Sequence, residues 1–428
     1  MGRIVCGLLV IASFIVSPAW ARPCRPTEVT VSVLRLALLL LLLGCYEHHR
    51  VEARIDSGRD ASMDAGPEVL PCESLRASRP RFFTRAPPTD ATLGSIDTTP
   101  AGVVIAAFTS SNDVREMDVA RWIMALDPTT GAPLFDDRAV VFGAPSGLTF
   151  ASHSHVLYPS GRSGFAYTWS AGQGCLVRRL GDRGELDGGA MQISRDACLG
   201  ARSAPDGRVF MAFRTEGDPL LRASIAELDE RFRERRRVGE SQVVGDAFHW
   251  TWTIDGDDLR VAYVTRDLEL YEGVWRDAEP VARRVEGSTT ATLPRYVRRG
   301  DDLVLAWREG AAEEMRAAFA RVEDLEVRIT GLGLHVRTGW DVEPRGDELW
   351  VAFAPRGEHR AARVAVARLG EDFEPFQVLR FGEERFPTRI RMETTPAGAF
   401  IAYAGQRDDG PGFTQIYAAP IRCVDGVR

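Results

Sequence analysis

Apolar residues recur along this chain of 428 residues in a short pattern that ends with alanine followed by an aromatic residue. Successive copies lie 44 to 59 residues apart, and an apolar residue precedes the alanine each time. A run that is apolar on both faces indicates a strand buried between two packed sheets. Alanine allows one sheet to approach closely, and the ring fills the space on the other side. The seven copies are Ala107-Phe108, Ala166-Tyr167, Ala212-Phe213, Ala262-Tyr263, Ala306-Trp307, Ala352-Phe353 and Ala402-Tyr403.

Further strand-like segments follow the repeated one. Residues 123–127, 224–229 and 364–369 interleave small and apolar side chains and are interpreted as third strands, and residues 139–142 and 376–379 as fourth strands. The spacing resembles that of β-propellers, in which a four-stranded blade takes roughly 40 to 50 residues. The resemblance implies an all-β fold, a single seven-bladed β-propeller, and it concerns architecture only.

The two ends of the chain are predicted to meet in one sheet. Residues 415–419 supply a third strand of the seventh blade, and the chain then ends without a fourth. The segment Arg81-Phe82-Phe83-Thr84 precedes the first inner strand, as a fourth strand would. Pairing the N- and C-terminal strands would close the ring and remove its exposed edges. We therefore expect residues 72–428 to form one closed propeller. No specific propeller family matches, since Trp340-Asp341, which is similar to the WD40 dipeptide, occurs once.

The four cysteines of the predicted propeller test this topology. They are Cys72, Cys175, Cys198 and Cys423, and three pairings into two disulfides are possible. In the seven-blade arrangement Cys72 and Cys423 fall at one end of the last sheet. Cys175 begins a third strand and Cys198 the next inner strand, which places both at the opposite end. We therefore predict disulfides between Cys72 and Cys423 and between Cys175 and Cys198. Four free thiols are the alternative, which an oxidising compartment disfavours.

Two apolar stretches open the chain, over residues 4–20 and 29–43. The second ends in Leu42-Leu43-Gly44-Cys45, which resembles the lipobox of bacterial lipoproteins. The resemblance implies cleavage before Cys45, a diacylglyceryl group on its thiol and an acylated new amino terminus. Residues 1–44 are then a signal-peptide region, and residues 45–71, polar and poor in large apolar groups, are a flexible tether.

The start of this signal region is open to two interpretations. Two stacked secretion signals are unusual, so we expect an over-extended start, with the true one at Val29, Val31 or Val33. A helical membrane hairpin built from both stretches is the alternative, which Arg35 disfavours because it interrupts the second stretch.

The composition excludes several kinds of chemistry. All 53 basic residues are arginines, so neither a Schiff-base lysine nor a phosphate-loop lysine is available. The net charge is −7, and it becomes −10 without residues 1–44, which carry four arginines and one glutamate. A mildly acidic protein of this kind is not expected to bind nucleic acid.

Candidate ligand-binding residues gather where the inner strands are predicted to begin, at the mouth of the central channel. His153 and His155 would face the same side of a strand, so a third ligand could complete a metal site. The favoured alternative is that both histidines form hydrogen bonds with water or the backbone. Converging arginines would favour carboxylates, phosphates or acidic sugars, and a solvated role is the alternative. The full candidate set is His153, His155, Arg202, His249, Arg295, His335, Arg337, Arg389 and Arg391.

No catalytic constellation emerges from the sequence. The expected function is a binding or scaffolding module with an unknown protein or glycan partner. Alternatives are a carbohydrate-active hydrolase or lyase, which would need paired carboxylates at the channel mouth, and a subunit of an envelope assembly complex. We expect a monomer without cofactor or bound metal, lipid-anchored in the bacterial cell envelope, with the outer membrane as the favoured location.

Overall fold

Residues 72–82, 90–111, 119–134, 139–142, 154–170, 173–215, 221–276, 279–311, 314–335, 339–356, 363–382, 385–406 and 414–424 are described by a computed structural model of the chain. They form seven antiparallel sheets, and the first strands of successive sheets lie next to one another around a common axis. The chain is therefore a seven-bladed β-propeller, as the repeat predicts.

Each blade runs from an inner first strand to an outer fourth strand. Blades 1 to 3 contain β3 (Asp90–Thr98), β4 (Val104–Ser111), β5 (Val119–Leu126) and β6 (Ala139–Phe142); β7 (His155–Leu157), β8 (Gly164–Ser170), β9 (Gly174–Leu180) and β10 (Leu186–Ser194); and β11 (Ala197–Ser203), β12 (Val209–Arg214), β13 (Ala223–Leu228) and β14 (Glu234–Ser241).

Blades 4 to 7 repeat the same order. They contain β15 (His249–Asp255), β16 (Asp258–Val264), β17 (Leu270–Arg276) and β18 (Glu279–Arg284); β19 (Thr292–Arg299), β20 (Asp302–Glu309), β21 (Arg316–Arg321) and β22 (Arg328–Gly333); β23 (Trp340–Arg345), β24 (Glu348–Phe353), β25 (Val364–Leu369) and β26 (Pro375–Phe381); and β27 (Arg385–Thr395), β28 (Gly398–Gln406) and β29 (Gln415–Val424).

The alanine–aromatic dipeptide lies in the second strand of every blade, and all seven alanines are fully buried. In blade 4, Ala262 packs into the core shared with blade 5, while Tyr263 packs into the core shared with blade 3. Blade 2 exchanges the two faces, because Ala166 faces blade 1 and Tyr167 faces blade 3. The repeated dipeptide thus contributes to the apolar cores between the blades.

The N-terminal segment closes the ring, and the paired segment begins earlier in the chain than the sequence predicts. Strand β1 (Ser74–Ala77) pairs with the end of β29, and β2 (Arg81–Phe82) pairs with its middle. The predicted closing strand began only at Arg81, so four of the six described residue pairs lie earlier in the chain. Residues Phe83 and Thr84 of that prediction lie outside the described residues.

Both predicted disulfides are present. Cys72 and Cys423 join the N-terminal strand to β29 with Cα atoms 4.7 Å apart, and Cys175 and Cys198 join blades 2 and 3 with Cα atoms 5.1 Å apart. Two such bonds indicate an extracytoplasmic protein.

One short helix, α1 (Gln242–Asp246), connects blades 3 and 4. Within the described ranges, no helical segment has the length and apolar character that crossing a membrane requires. The signal region, Cys45 and the tether predicted over residues 45–71 lie outside the described residues, so these assignments stay predictions.

Candidate functional site

The inner strands carry backbone groups at the central channel that their own sheet does not pair. Each is paired with the second strand of its own blade on one side only, so the N–H and C=O groups of its other edge need partners. Polar side chains of neighbouring blades supply them. We call these contacts, in which a side chain of one blade binds the inner strand of the next blade, the inner belt.

Blade 1 contacts the inner strand of blade 2 at two points. The Ser95 hydroxyl accepts a hydrogen bond from the Val156 N–H at 2.9 Å. The Asp97 carboxylate accepts one from the Tyr158 N–H at 2.8 Å. Both acceptors are buried, so these contacts fix the separation of β3 and β7.

The next two junctions use different residue types for the same purpose. The Tyr167 hydroxyl of blade 2 accepts a hydrogen bond from the Ala201 N–H of blade 3 at 3.0 Å. Arg202 of blade 3 donates through Nε to the Trp252 carbonyl of blade 4 at 3.1 Å. The guanidinium of Arg202 also lies 5.7 Å from the Trp252 ring centroid.

A continuous series of contacts joins the inner strands of blades 5, 6 and 7 to that of blade 1. Arg295 donates to the carboxylate of Asp341 and to the carbonyl of the adjacent Trp340. The other oxygen of Asp341 accepts from the Met392 N–H at 2.9 Å. Arg391 then donates through Nε to the Gly94 carbonyl at 3.1 Å, which links the last blade to the first.

Between blades 4 and 5 the described contacts of the inner strands join side chains to one another. Arg298 of β19 forms an ion pair with Asp255 of β15, and the Tyr296 hydroxyl donates to Glu272 of blade 4 at 3.2 Å. Thr251 and Thr253 lie on β15, where Thr251 is opposite Ala262 and therefore shares its blade 5 face. Both threonines are almost fully buried, and neither hydroxyl has a hydrogen-bond partner within the described ranges. A buried hydroxyl without a partner is unfavourable, so this position, which we call the belt gap, requires an explanation.

Two ionisable groups with perturbed pKa values lie at this mouth of the channel. Burial lowers the pKa of His249, which shares the face of Thr251, to about 3; the positive charge of Arg308 contributes, so the imidazole is neutral at pH 7. Burial also lowers the pKa of Arg308 to about 10, and the nearby charge of Arg295 contributes. Arg308 stays protonated at neutral pH and shares the face of Ala306, toward blade 6.

An aromatic side chain and a rigid loop complete the surroundings. Phe248 is 39% exposed, and its ring centroid is 4.1 Å from that of His249. Glu309 accepts hydrogen bonds from the Thr289 and Thr290 N–H groups at 2.9 and 2.8 Å, and from the Ser288 hydroxyl at 2.8 Å. This carboxylate therefore fixes the loop that leads into β19.

Burial alone would raise the pKa of Glu309. The hydrogen bonds from the Trp307 ring nitrogen, from Ser288 and from the loop amides outweigh it and lower the pKa below its usual value. The carboxylate is therefore ionised at neutral pH, and its role in the fold depends on that charge.

The sequence-predicted candidates separate into three groups. Arg202, Arg295 and Arg391 belong to the inner belt, where they hold neighbouring strands. His249 borders the belt gap, and Arg389 lies on β27 at a β-bulge with a left-handed backbone. The remaining described candidates lie elsewhere at the mouth, namely His155 on β7 beside the Tyr167 ring and His335 before β23.

Two candidates cannot be placed, since His153 and Arg337 lie outside the described residues. Among residues that the structure does describe, no group of three or more His, Cys, Asp or Glu side chains could hold a metal ion. The sequence interpretation missed Thr251, Thr253 and Arg308. The alternation His249-Trp250-Thr251-Trp252-Thr253 places three polar side chains on one face of a buried strand, and this signal could have identified the threonines.

Comparison with known proteins establishes the fold and nothing finer. No family model and no curated protein matches the chain. A solved protein of unknown function from Dyadobacter fermentans is similar over 82% of this chain and 100% of its own, with a TM-score of 0.51 and 11% identity. At this identity the likeness concerns the fold alone.

Two further solved structures are more distant. The β-propeller domain of the Trilobed protease from Pyrococcus furiosus, which has an open velcro topology, is 10% identical with a TM-score of 0.46 over 77% of this chain and 95% of its own. Virginiamycin B lyase from Staphylococcus aureus is 14% identical with a TM-score of 0.42 over 81% and 98%. These two likenesses carry no argument about this chain.

Proposed function

We propose that the protein is an exported, lipid-anchored binding module whose belt gap receives an acidic glycan. The observation that carries the proposal is the pair of buried hydroxyls on Thr251 and Thr253, left without partners at one junction of the inner belt. Both hydroxyls are closed off from solvent, so a ligand rich in hydroxyl groups would reach them when this junction opens, and each hydroxyl could then donate and accept a hydrogen bond.

A positive charge at this mouth of the channel supports an acidic sugar over a neutral one. Arg308 acts electrostatically on His249, so it would attract an anionic group placed there, and His249 shares the face of Thr251 on β15. The exposed ring of Phe248 offers an apolar face of the kind that ligand sites combine with a few polar groups.

The test is binding of the mature chain to an array of acidic and neutral glycans. A Thr251→Val, Thr253→Val double variant should lose affinity by about tenfold for each hydrogen bond removed. Its stability should stay unchanged or rise, because the hydroxyls have no protein partner to lose. A Thr98→Val variant is the matched control, since that hydroxyl is also unpartnered but lies on blade 1. Wild-type affinity in the double variant would reject the gap as the ligand site.

The lipid anchor is tested separately. Mass spectrometry of the mature chain should find Cys45 as the amino terminus, carrying a diacylglyceryl group and an acylated amine. An unmodified terminus upstream of Cys45 would reject the anchor without affecting the glycan proposal. A carbohydrate-active hydrolase or lyase and an envelope assembly subunit stay as predictions; turnover of an array ligand would favour the former, and co-purification from solubilised membranes the latter.

A further inference from the structure

Four exposed arginines lie at the outer edge of blade 7, where the chain enters the propeller. They are Arg76, Arg79, Arg81 and Arg422, and we call them the exit patch. Arg76 is directly opposite Arg422 in the β1–β29 pairing, and Arg81 is opposite Ala418. Opposed residues share a face, and positions 418 and 422 of one strand point the same way, so Arg76, Arg81 and Arg422 lie on one face.

These arginines lack the acidic partners that several exposed arginines of the other blades have. Typical pairs are Arg233 with Asp229 at 2.7 Å and Arg284 with Glu269 at 3.1 Å. None of the four exit-patch side chains forms an ion pair with any described residue. Arg422 instead donates to the Thr129 carbonyl at 2.8 Å.

Like charges directly opposite each other destabilise an antiparallel pair, so the Arg76–Arg422 arrangement is unfavourable without an anion nearby. Two carboxylates border the patch, Glu73 in the same segment and Asp127, which interacts electrostatically with Arg422. The patch therefore carries a net positive charge on a chain whose net charge is −7.

The position of the patch identifies its partner. Residues 45–71 immediately precede Cys72, so a lipid on Cys45 would be attached 27 residues from this rim. The Cys72 carbonyl accepts a hydrogen bond from Arg368 of blade 6 at 2.6 Å, so the point of exit is fixed on the rim. Arg368 in turn lies 4.8 Å from the ring centroid of Phe376, which is 57% exposed.

We propose that the exit patch is a membrane-contact surface that binds the phosphate groups of anionic phospholipids. The proposal rests on the membrane location proposed above, because a lipid on Cys45 would hold this rim near the bilayer. The diacylglyceryl group and the acylated amine would anchor the chain, and basic side chains would determine which side of the ring meets the bilayer. The contact would orient the ring with blades 7 and 1 toward the membrane and blade 4 away from it.

The test uses the full mature chain with Cys45→Ser, so that no lipid contributes. Its binding to vesicles of phosphatidylethanolamine, with and without phosphatidylglycerol, is measured by sedimentation at low and physiological salt. We expect binding that requires phosphatidylglycerol and weakens with salt. Each arginine near an anionic surface contributes about a fivefold change in partitioning, so Arg76→Gln with Arg81→Gln should reduce binding about 25-fold.

The matched control is Arg183→Gln with Arg231→Gln, which removes two exposed, unpaired arginines from turns of blades 2 and 3. It should bind like the parent chain, and an intact Cys72–Cys423 disulfide in all variants would verify the fold of the rim. Equal losses in both double variants, binding without phosphatidylglycerol, or full competition by soluble heparin would each overturn the proposal. The last result would assign the patch to polysaccharide. A negative vesicle result with Cys45 lipidated in the native protein would reject the patch and leave the anchor intact.

Discussion

Arg295 on β19 and Asp341 on β23 form an ion pair in which both side chains are more than nine-tenths buried. Burial lowers the pKa of Arg295, and Asp341 opposes that change. The pair joins blades 5 and 6, and Asp341 extends the link to blade 7 through Met392. A single carboxylate therefore holds three consecutive inner strands.

Replacing Asp341 by asparagine should lower the free energy of unfolding by about 3 to 5 kcal/mol, because Arg295 would keep a buried charge without its counter-ion. The measurement is urea unfolding at neutral pH. An Arg295→Met, Asp341→Leu double variant should lose less, since it leaves no buried charge. Glu326→Gln is the control, because the exposed Glu326–Arg328 pair should contribute less than about 1 kcal/mol. Equal losses for Asp341→Asn and the control would contradict this role of the pair.

The two disulfides should contribute unequally to stability. Cys72 and Cys423 are 351 residues apart and Cys175 and Cys198 are 23 apart, so the loop-entropy model gives about 6 and about 3 kcal/mol. Serine double substitutions, compared by their urea midpoints, check the order. A larger loss on removing the Cys175–Cys198 bond would show that the termini are held mainly by strand pairing.

His249 should make the protein less stable in acid. Its pKa is about 3 in the folded state, lowered by burial and by Arg308, against about 6.5 when unfolded. Between these values the unfolded chain binds a proton that the folded chain does not, so stability rises with pH across this window and is level above it. The contribution approaches 1.4 kcal/mol per pH unit. Unfolding of a His249→Asn variant from pH 4 to 7 should show a correspondingly smaller slope, while Thr251→Val, which removes no titrating group, should keep the wild-type slope.

Glu309 should control the order of the loop before β19. A Glu309→Gln variant would lose the charge that several donors share, which should lower the stability of the loop by about 1 to 3 kcal/mol. Faster hydrogen exchange at the Thr289 and Thr290 amides is the readout. Because the folded pKa of Glu309 is lowered, its contribution is present at neutral pH and is lost as the pH falls through that value. Glu314→Gln, an exposed change on the same blade, should leave exchange at these amides unaltered.

The sequence could predict the ring because its cores are built from a repeated pattern. The second strand of each blade has an alanine and an aromatic residue that meet the same packing requirement, and the regular spacing of the seven copies indicates the repeat. The cysteine pairings followed from strand direction alone. The sequence could not predict that Tyr167 faces the following blade while the other aromatic residues of the pattern face the preceding one. A shift of one residue reverses which blade a side chain faces without altering the composition of the strand.

The inner belt was beyond sequence reasoning for a different reason. Ser95, Tyr167, Arg202 and Asp341 perform the same task, yet they share neither residue type nor position within the strand. What they have in common is an unpaired backbone group of another blade within reach, which only the assembled ring creates. The arginines singled out from the sequence were therefore found at the channel, but their strand-joining role was not visible.

The contacts between blades also bear on how such a ring could change its size. Inserting or deleting a blade would separate side chains from the groups that they hold, such as Asp341 from the Met392 N–H. Between blades 4 and 5 it would break the Arg298–Asp255 ion pair and the hydrogen bonds from Arg283 to the Val322 and Glu323 carbonyls. These contacts therefore oppose duplication or loss of a repeat during evolution.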